Sequence, residues 1–179
     1  MRTRAPDAVE PVVGWRAWRV DTDPRAARLT SVTGRCTWPE GRALEAACHH
    51  LRGLHPAPWP GCRCGIHAAR WPRGAAGHIT LPSRAAEHLV FGLVALWGDV
   101  VEGDLGWRAS HAFPRHLVLL PPATAAPRDV VEVAFGLAGY GVPVEIDRGP
   151  RCDVVARWRG LRRTGDPHGA GRFIGGSAS

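Results

Sequence analysis

LVFGLVALWGDVVEGDLGWRASHAFPRHLVLL, residues 89–120, decides how the rest of the chain is read. Its first half is a long apolar run that alternates poorly and is interrupted by Gly92 and Gly98. That pattern predicts a central strand carrying a bulge, or one that is strongly bent. The EGDLG turn follows, GWRASHAF reads as a strand behind it, and RHLVLL reads as another, ended by Pro121 and Pro122. The run is too short for a membrane span, which needs about 20 apolar residues.

Outward from this segment, VVGWRAWRV at residues 12–20 approximates period-two alternation. Val13, Trp15 and Ala17 fall on one side, Trp18 and Val20 on the other. After the turn DTDPRA, ARLTSV supplies a partner strand. Three short helices are expected. GRALEAACHH runs from Gly41 to His50, and TLPSRAAEHL has Thr80 or Ser83 as its N-cap. DVVEVAFGLAGY places Asp129 at the favourable end and stops at Gly141. VPVEI and CDVVARW read as short strands. The expected fold is α+β: a bent antiparallel sheet, a few short helices and a zinc-bound loop. It forms a single domain over residues 1–164, and residues 165–179 have the composition of a mobile C-terminal tail.

The chain has 179 residues, enough for one well-cored domain. Its 16 prolines and 22 glycines argue against a helical bundle. All 23 basic residues are arginine, which fits GC-rich codon usage, and the formal charge is +7. Such a charge attracts anions, but the arginines are dispersed. The nearest thing to a basic cluster lies between Arg148 and Arg163, so Arg157, Arg159, Arg162 and Arg163 are the candidates for nucleic-acid or anion binding. The first residues lack the apolar core of a signal peptide, and the expected location is cytoplasmic, with no membrane partner. No dinucleotide-binding glycine motif, P-loop, HExxH or GxSxG occurs, and no internal repeat.

Chemistry concentrates around HPAPWPGCRCGIHAA, residues 55–69. Five cysteines, at 36, 48, 62, 64 and 152, are an odd number and read as thiols. Cys48, His55, Cys62 and Cys64 form a C-x6-H-x6-C-x-C pattern with the four thiolate and imidazole ligands of a structural zinc site. Gly65 can supply the positive φ that closes a tight turn. Arg63 can offset the net −1 of the loaded site, and Pro56, Pro58 and Pro60 stiffen the loop. An iron–sulfur cluster is the alternative cofactor. His67, His49, His50 and Cys36 compete with His55 for the fourth ligand. No acidic residue lies between Glu45 and Glu87, so the site has no local general base and reads as structural rather than catalytic.

The second candidate region is Trp97–His111. If it forms a hairpin, Trp97 and Trp107 line one mouth, with Glu102 and Arg108 near the turn. A cleft there would use Glu102 and His111 as an acid–base pair and Arg108 to bind an anion. A charged hairpin turn facing water explains the same residues without chemistry. Ser110 beside His111 does not by itself make a triad.

The residues at Cys48, His55, Pro58, Cys62, Cys64, Gly65 and Ala68, followed by Trp97, Gly98, Trp107, Arg108 and Ala109, resemble a pattern in a family of small proteins from high-GC actinobacteria. The pattern is a cysteine, H-x-A-P and C-x-C-G-I-Y-A, with G-x-V-x-L-W-G and G-[YW]-R-A later in the chain. It covers roughly Trp15 to Leu119. His67 stands where the family has tyrosine, which implies His55 as the ligand. The resemblance implies site residues and no particular activity. Three functions follow as expectations. The first is a small intracellular zinc-stabilised binding or regulatory protein, its partner a protein or an anionic ligand. The second is an enzyme built on the Trp97–His111 cleft, and the third a basic nucleic-acid-binding protein.

Overall fold

The structure, a computed structural model, describes residues 10–23, 26–33, 36–49 and 55–160. The tail expected at 165–179 lies outside them, as do Arg162, Arg163 and His50. Along the chain run β1 (Val12–Asp23), β2 (Ala26–Ser31), β3 (Leu44–Glu45), β4 (Ile66–Ala69) and α1 (Pro72–Ala76). A 3-10 turn (Pro82–Arg84), β5 (Leu89–Gly103), β6 (Gly106–Leu120) and α2 (Pro127–Leu137) follow. After a 3-10 turn at Ala138–Tyr140 come β7 (Val144–Ile146), a third such turn (Arg151–Asp153) and α3 (Val154–Trp158).

The opening segment is one long hairpin, β5 against β6, paired from Leu89–Leu120 out to Gly103–Gly106. GWRASHAF and RHLVLL are therefore a single strand rather than two. Pro114 is tolerated because it sits opposite Val94, where the register shifts and a ladder hydrogen bond is missing anyway. A second shift lies between Trp97 and Val100, and Gly98 there has φ +75°. A Cβ on Gly98 would stand 2.2 Å from Ser110 Oγ, so the bulge needs glycine both for its backbone and for its space.

This bulge bends the sheet onto itself. β5 pairs with β1 as well as β6, while β4 pairs with β6 at residues 106–109 and meets β1 at Trp15–Ala69. The pairings β1–β5–β6–β4–β1 close a ring, with β2 and β3 added outside it. All these pairs are antiparallel. β7 is the correction to the antiparallel expectation, since it runs parallel to β6 and makes the seven-stranded sheet mixed.

Alternation in β1 divides the core as the sequence predicts. Trp18 joins Leu29, Val90, Val94, Leu96, Leu117 and Leu119 on one face, covered by Val130, Val133 and Leu137 of α2. Trp15 and Ala17 join Phe91, Leu93 and Val118 on the other, covered by Ala75 and Ala76 of α1 and Val154 of α3. Each large side chain fully buried in this way contributes about 1.5–3 kcal/mol. α2 begins at Pro127 with Asp129 in its first turn, and the following 3-10 turn ends at Gly141, φ +68°. Tyr140 locks this end, its hydroxyl donating to Trp38 O at 2.7 Å and accepting from Leu29 N at 3.0 Å.

Two further expectations are corrected. GRALEAACHH is not a helix. Leu44 and Glu45 pair with Ala112 and His111 as β3, because the free edge of β6 outweighs a modest helix propensity. CDVVARW is not a strand. It forms a 3-10 turn and α3, a short cap that buries Val154 against the second core. TLPSRAAEHL keeps only the 3-10 turn at Pro82–Arg84. No helix among the described residues is long and apolar enough to cross a membrane.

Candidate metal centre

β3 and β4 lie in line along the same edge of β6. Glu45 faces His111, Ala46 N donates to Ser110 O at 2.7 Å, and Ile66 faces Ala109. The register of β6 thus advances by a single residue while the opposing chain leaves at Ala46 and returns at Ile66. β3 and β4 are two halves of one interrupted strand along β6, and the described residues 47–49 and 55–65 lie between them, outside the sheet.

The extruded loop gathers Cys48, His55, Cys62 and Cys64, and one ligand atom from each lies within 4.8 Å of every other. These four residues could hold a metal ion. Cys48 comes from extended chain just past β3, not from a helix end. Cys62 and Cys64 come from a turn in which Cys62 N donates to Trp59 O at 3.0 Å and Trp59 N donates to Cys64 Sγ at 3.3 Å. Gly65, φ +110°, then turns the chain into β4, as its position after the C-x-C pair predicts. A Cβ there would come within 2.9 Å of Pro58.

Cys48 Sγ is 3.4 Å from His55 Nε2 and 3.9 Å from Cys62 Sγ. His55 Nδ1 lies 3.0 Å from Pro56 O; a carbonyl only accepts, so Nδ1 carries the proton in this contact and Nε2 is left with its lone pair. Cys48 and Cys64 are buried. Burial pushes the Cys64 thiol up, the Trp59 N–H opposes this, and the neighbouring Cys62 and Cys48 sulfurs add to it. A cation bound at Cys64 would reverse that preference.

Arg108, on β6, holds the loop from below. Its guanidinium donates to the carbonyls of Cys62 and Cys64, the latter at 2.9 Å, and to Trp59 O at 3.4 Å. Arg63, the expected counter-charge, is exposed. Sequence reading placed Arg108 in a cleft instead. No spacing rule in the sequence points to its place beneath the cysteine turn.

The competing ligands lie elsewhere. His67 Nε2 donates to Arg63 O at 2.9 Å, and neither His67, His49 nor Cys36 belongs to the cluster. Nor do the proposed cleft residues converge. Glu102 pairs with Arg70, Arg108 holds the loop, and His111 stacks on Trp97, centroids 6.0 Å apart, with Ser110 Oγ 2.9 Å from its Nδ1. Trp107 is covered by the Arg70 guanidinium, 4.6 Å from the ring centroid. Of the basic candidates, Arg157 is engaged by Asp147 Oδ2 at 2.8 Å and by Pro150 O at 2.9 Å, while Arg159 is exposed.

Fold and site together define a mixed-sheet α+β domain with a three-cysteine, one-histidine cluster in a loop extruded from an edge strand. Set against protein families, curated proteins and solved structures, the chain shows no significant match.

Proposed function

We propose that the chain is a small intracellular zinc-stabilised binding protein in which the metal is structural. The observation that carries this reading is the closed ligand set: four protein ligands within reach of one point, leaving no position for substrate. Zinc suits the spacing. Zn–S bonds of about 2.3 Å and a Zn–N bond near 2.05 Å require tetrahedral edges of about 3.8 Å between sulfurs and about 3.5 Å from sulfur to nitrogen. Cys48 Sγ stands 3.9 Å from Cys62 Sγ and 3.4 Å from His55 Nε2, and the four ligand atoms all lie within 4.8 Å of one another. The Pro56 carbonyl on Nδ1 is the outer contact that fixes the tautomer of a ligating histidine. Five cysteines with no disulfide among them fit a reducing compartment.

Elemental analysis of protein purified without added metal tests the proposal. The expected result is one zinc per chain, lost in C62S and C64S together with a lowered melting temperature. A metal-free parent with an ordered loop would overturn it. A brown colour and iron in the assay would replace zinc by an iron–sulfur cluster. Catalysis by Glu102, Arg108 and His111 has no comparable support, because each is engaged with a different neighbour.

A further inference from the structure

A binding protein needs a surface, and the two described basic candidates, Arg157 held by Asp147 and Arg159 exposed, do not by themselves build one. The outer face of the sheet beside the extruded loop does. Register places Ala95 opposite Phe113 and Trp97 opposite His111, and the face they share is not covered by α1 or α3. These residues floor a groove of about 520 Å³ lined also by Pro11, Arg42 and Arg115. Trp97 and Phe113 are half-buried, their bodies held by the sheet, whereas Arg42 and Arg115 are exposed. A second groove of about 440 Å³ shares Arg42 and Ala43 and continues toward Trp38 and Leu44.

We infer that this face binds single-stranded nucleic acid, with bases stacked on Trp97 and Phe113 and phosphates met by Arg42 and Arg115. Three features select that ligand. Trp97 and Phe113 are diagonal neighbours on adjacent strands, about 7–8 Å apart, so each can take a separate base. Base–aromatic stacking needs only a π-face, and arginine supplies the backbone charge that a single strand requires. The track extends past one pocket into a second, which suits a chain more than a mononucleotide. Duplex DNA fits poorly. Its major groove takes a helix or a two-stranded ribbon, and α2, the one described helix longer than five residues, is packed on β2 and shows Val131 and Phe135 outward. Glu45, the cross-strand partner of His111, shares this face and lines the second groove, so phosphates are met at Arg42 and Arg115 and not along that carboxylate.

This inference rests on the reading of the chain as a zinc-stabilised binding protein, and the experiment separates the two. A labelled mixed-sequence strand of about 12 nucleotides, as RNA and as DNA, is titrated with the zinc-loaded full chain, beside the matching duplex and a mononucleotide. Salt-dependent binding of the single strand is expected, with duplex and mononucleotide much weaker. W97A and F113A should each weaken binding at least fivefold, the low end for a lost stacked base. R42E/R115E should flatten the dependence of log K on log salt by about 1.4, as for two phosphate contacts. R159A should change nothing. W97F, which keeps a π-face, should retain binding if W97A fails to fold. No single-strand binding at about 50 mM salt, or binding unaffected by W97A, F113A and R42E/R115E, overturns the inference. So does mononucleotide binding alone, or equal affinity for duplex. One zinc per chain in parent and variants, measured alongside, leaves the structural-zinc proposal standing whichever way binding falls.

Discussion

Arg108 and Asp147 are the two polar side chains whose replacement should be felt most, for different reasons. Arg108 touches no ligand atom, yet it gathers three carbonyls of the turn that carries Cys62 and Cys64. R108A should weaken the proposed zinc site about 10- to 100-fold, the usual range for an outer contact, in competition with a chromophoric chelator. R108K should rescue little, since an ammonium on a flexible stem does not reproduce the planar fork. Asp147 is buried under α3, receiving Arg157 Nε at 2.8 Å, Trp158 Nε1 at 2.6 Å and Gly149 N at 2.8 Å. Burial works to raise its carboxyl, but these donors outweigh it and hold the group below the usual carboxylate range. A depressed folded value means that the stabilisation is complete above the unfolded value of about 3.9 and is lost as pH falls through the folded one. D147N should cost about 1–3 kcal/mol at neutral pH. Its stability should also fall less steeply than the parent's in acid, below about pH 4, in urea titrations across that range. Equal acid slopes would show that Asp147 is not the group responsible.

The β5–β6 hairpin sets the shape of the sheet, and its bulge is the place to test this. G98A should destabilise by about 1–3 kcal/mol from the left-handed backbone alone. Displacing Ser110 and His111 should add to this, giving a midpoint shift in denaturant that G77A does not share. Gly77 has ordinary helical φ and nothing nearer than 4.0 Å to a new Cβ. This element was also the most legible in the sequence, because two glycines in an apolar run and two stretches of strand-forming residues around EGDLG leave few other arrangements. The alternation of β1 was readable for the same local reason. The misread elements are those settled by distant neighbours. GRALEAACHH has the composition of a helix, but becomes an edge strand because β6 offers unpaired hydrogen bonds to it. CDVVARW alternates over a few residues, yet packs Val154 against Phe91's side of the sheet as a helical cap. WPRGAAG, with proline at the first helical position of α1, carried a start signal that its glycines obscured. The four metal-binding residues were legible from spacing and residue type. Their delivery from an interrupted strand was not, since that depends on the register of β3 and β4 against a strand far along the chain, Glu45 facing His111 and Ile66 facing Ala109.

At the scale of the molecule, the two cores are built almost wholly from the sheet and its helical caps, and the cysteine cluster is a separate small one with Ala57. If the cluster holds the proposed zinc, removing it should therefore loosen residues 47–49 and 55–65 far more than the sheet. In hydrogen exchange, amides of the loop should lose protection in chelator while those of β5 and β6 keep it; protection lost evenly across the chain would mean that the metal supports the entire fold. The interruption of the edge strand carries this further. Because Ala46 and Ile66 stand at neighbouring positions along β6, the chain between them behaves as an inserted cassette with its entry and exit side by side. A shortened protein in which Ala46 is joined directly to Ile66 should fold without any metal, its strand along β6 made continuous. The excised segment, carrying its own ligands and needing only two adjacent anchor points, should be transplantable into the edge strand of an unrelated sheet.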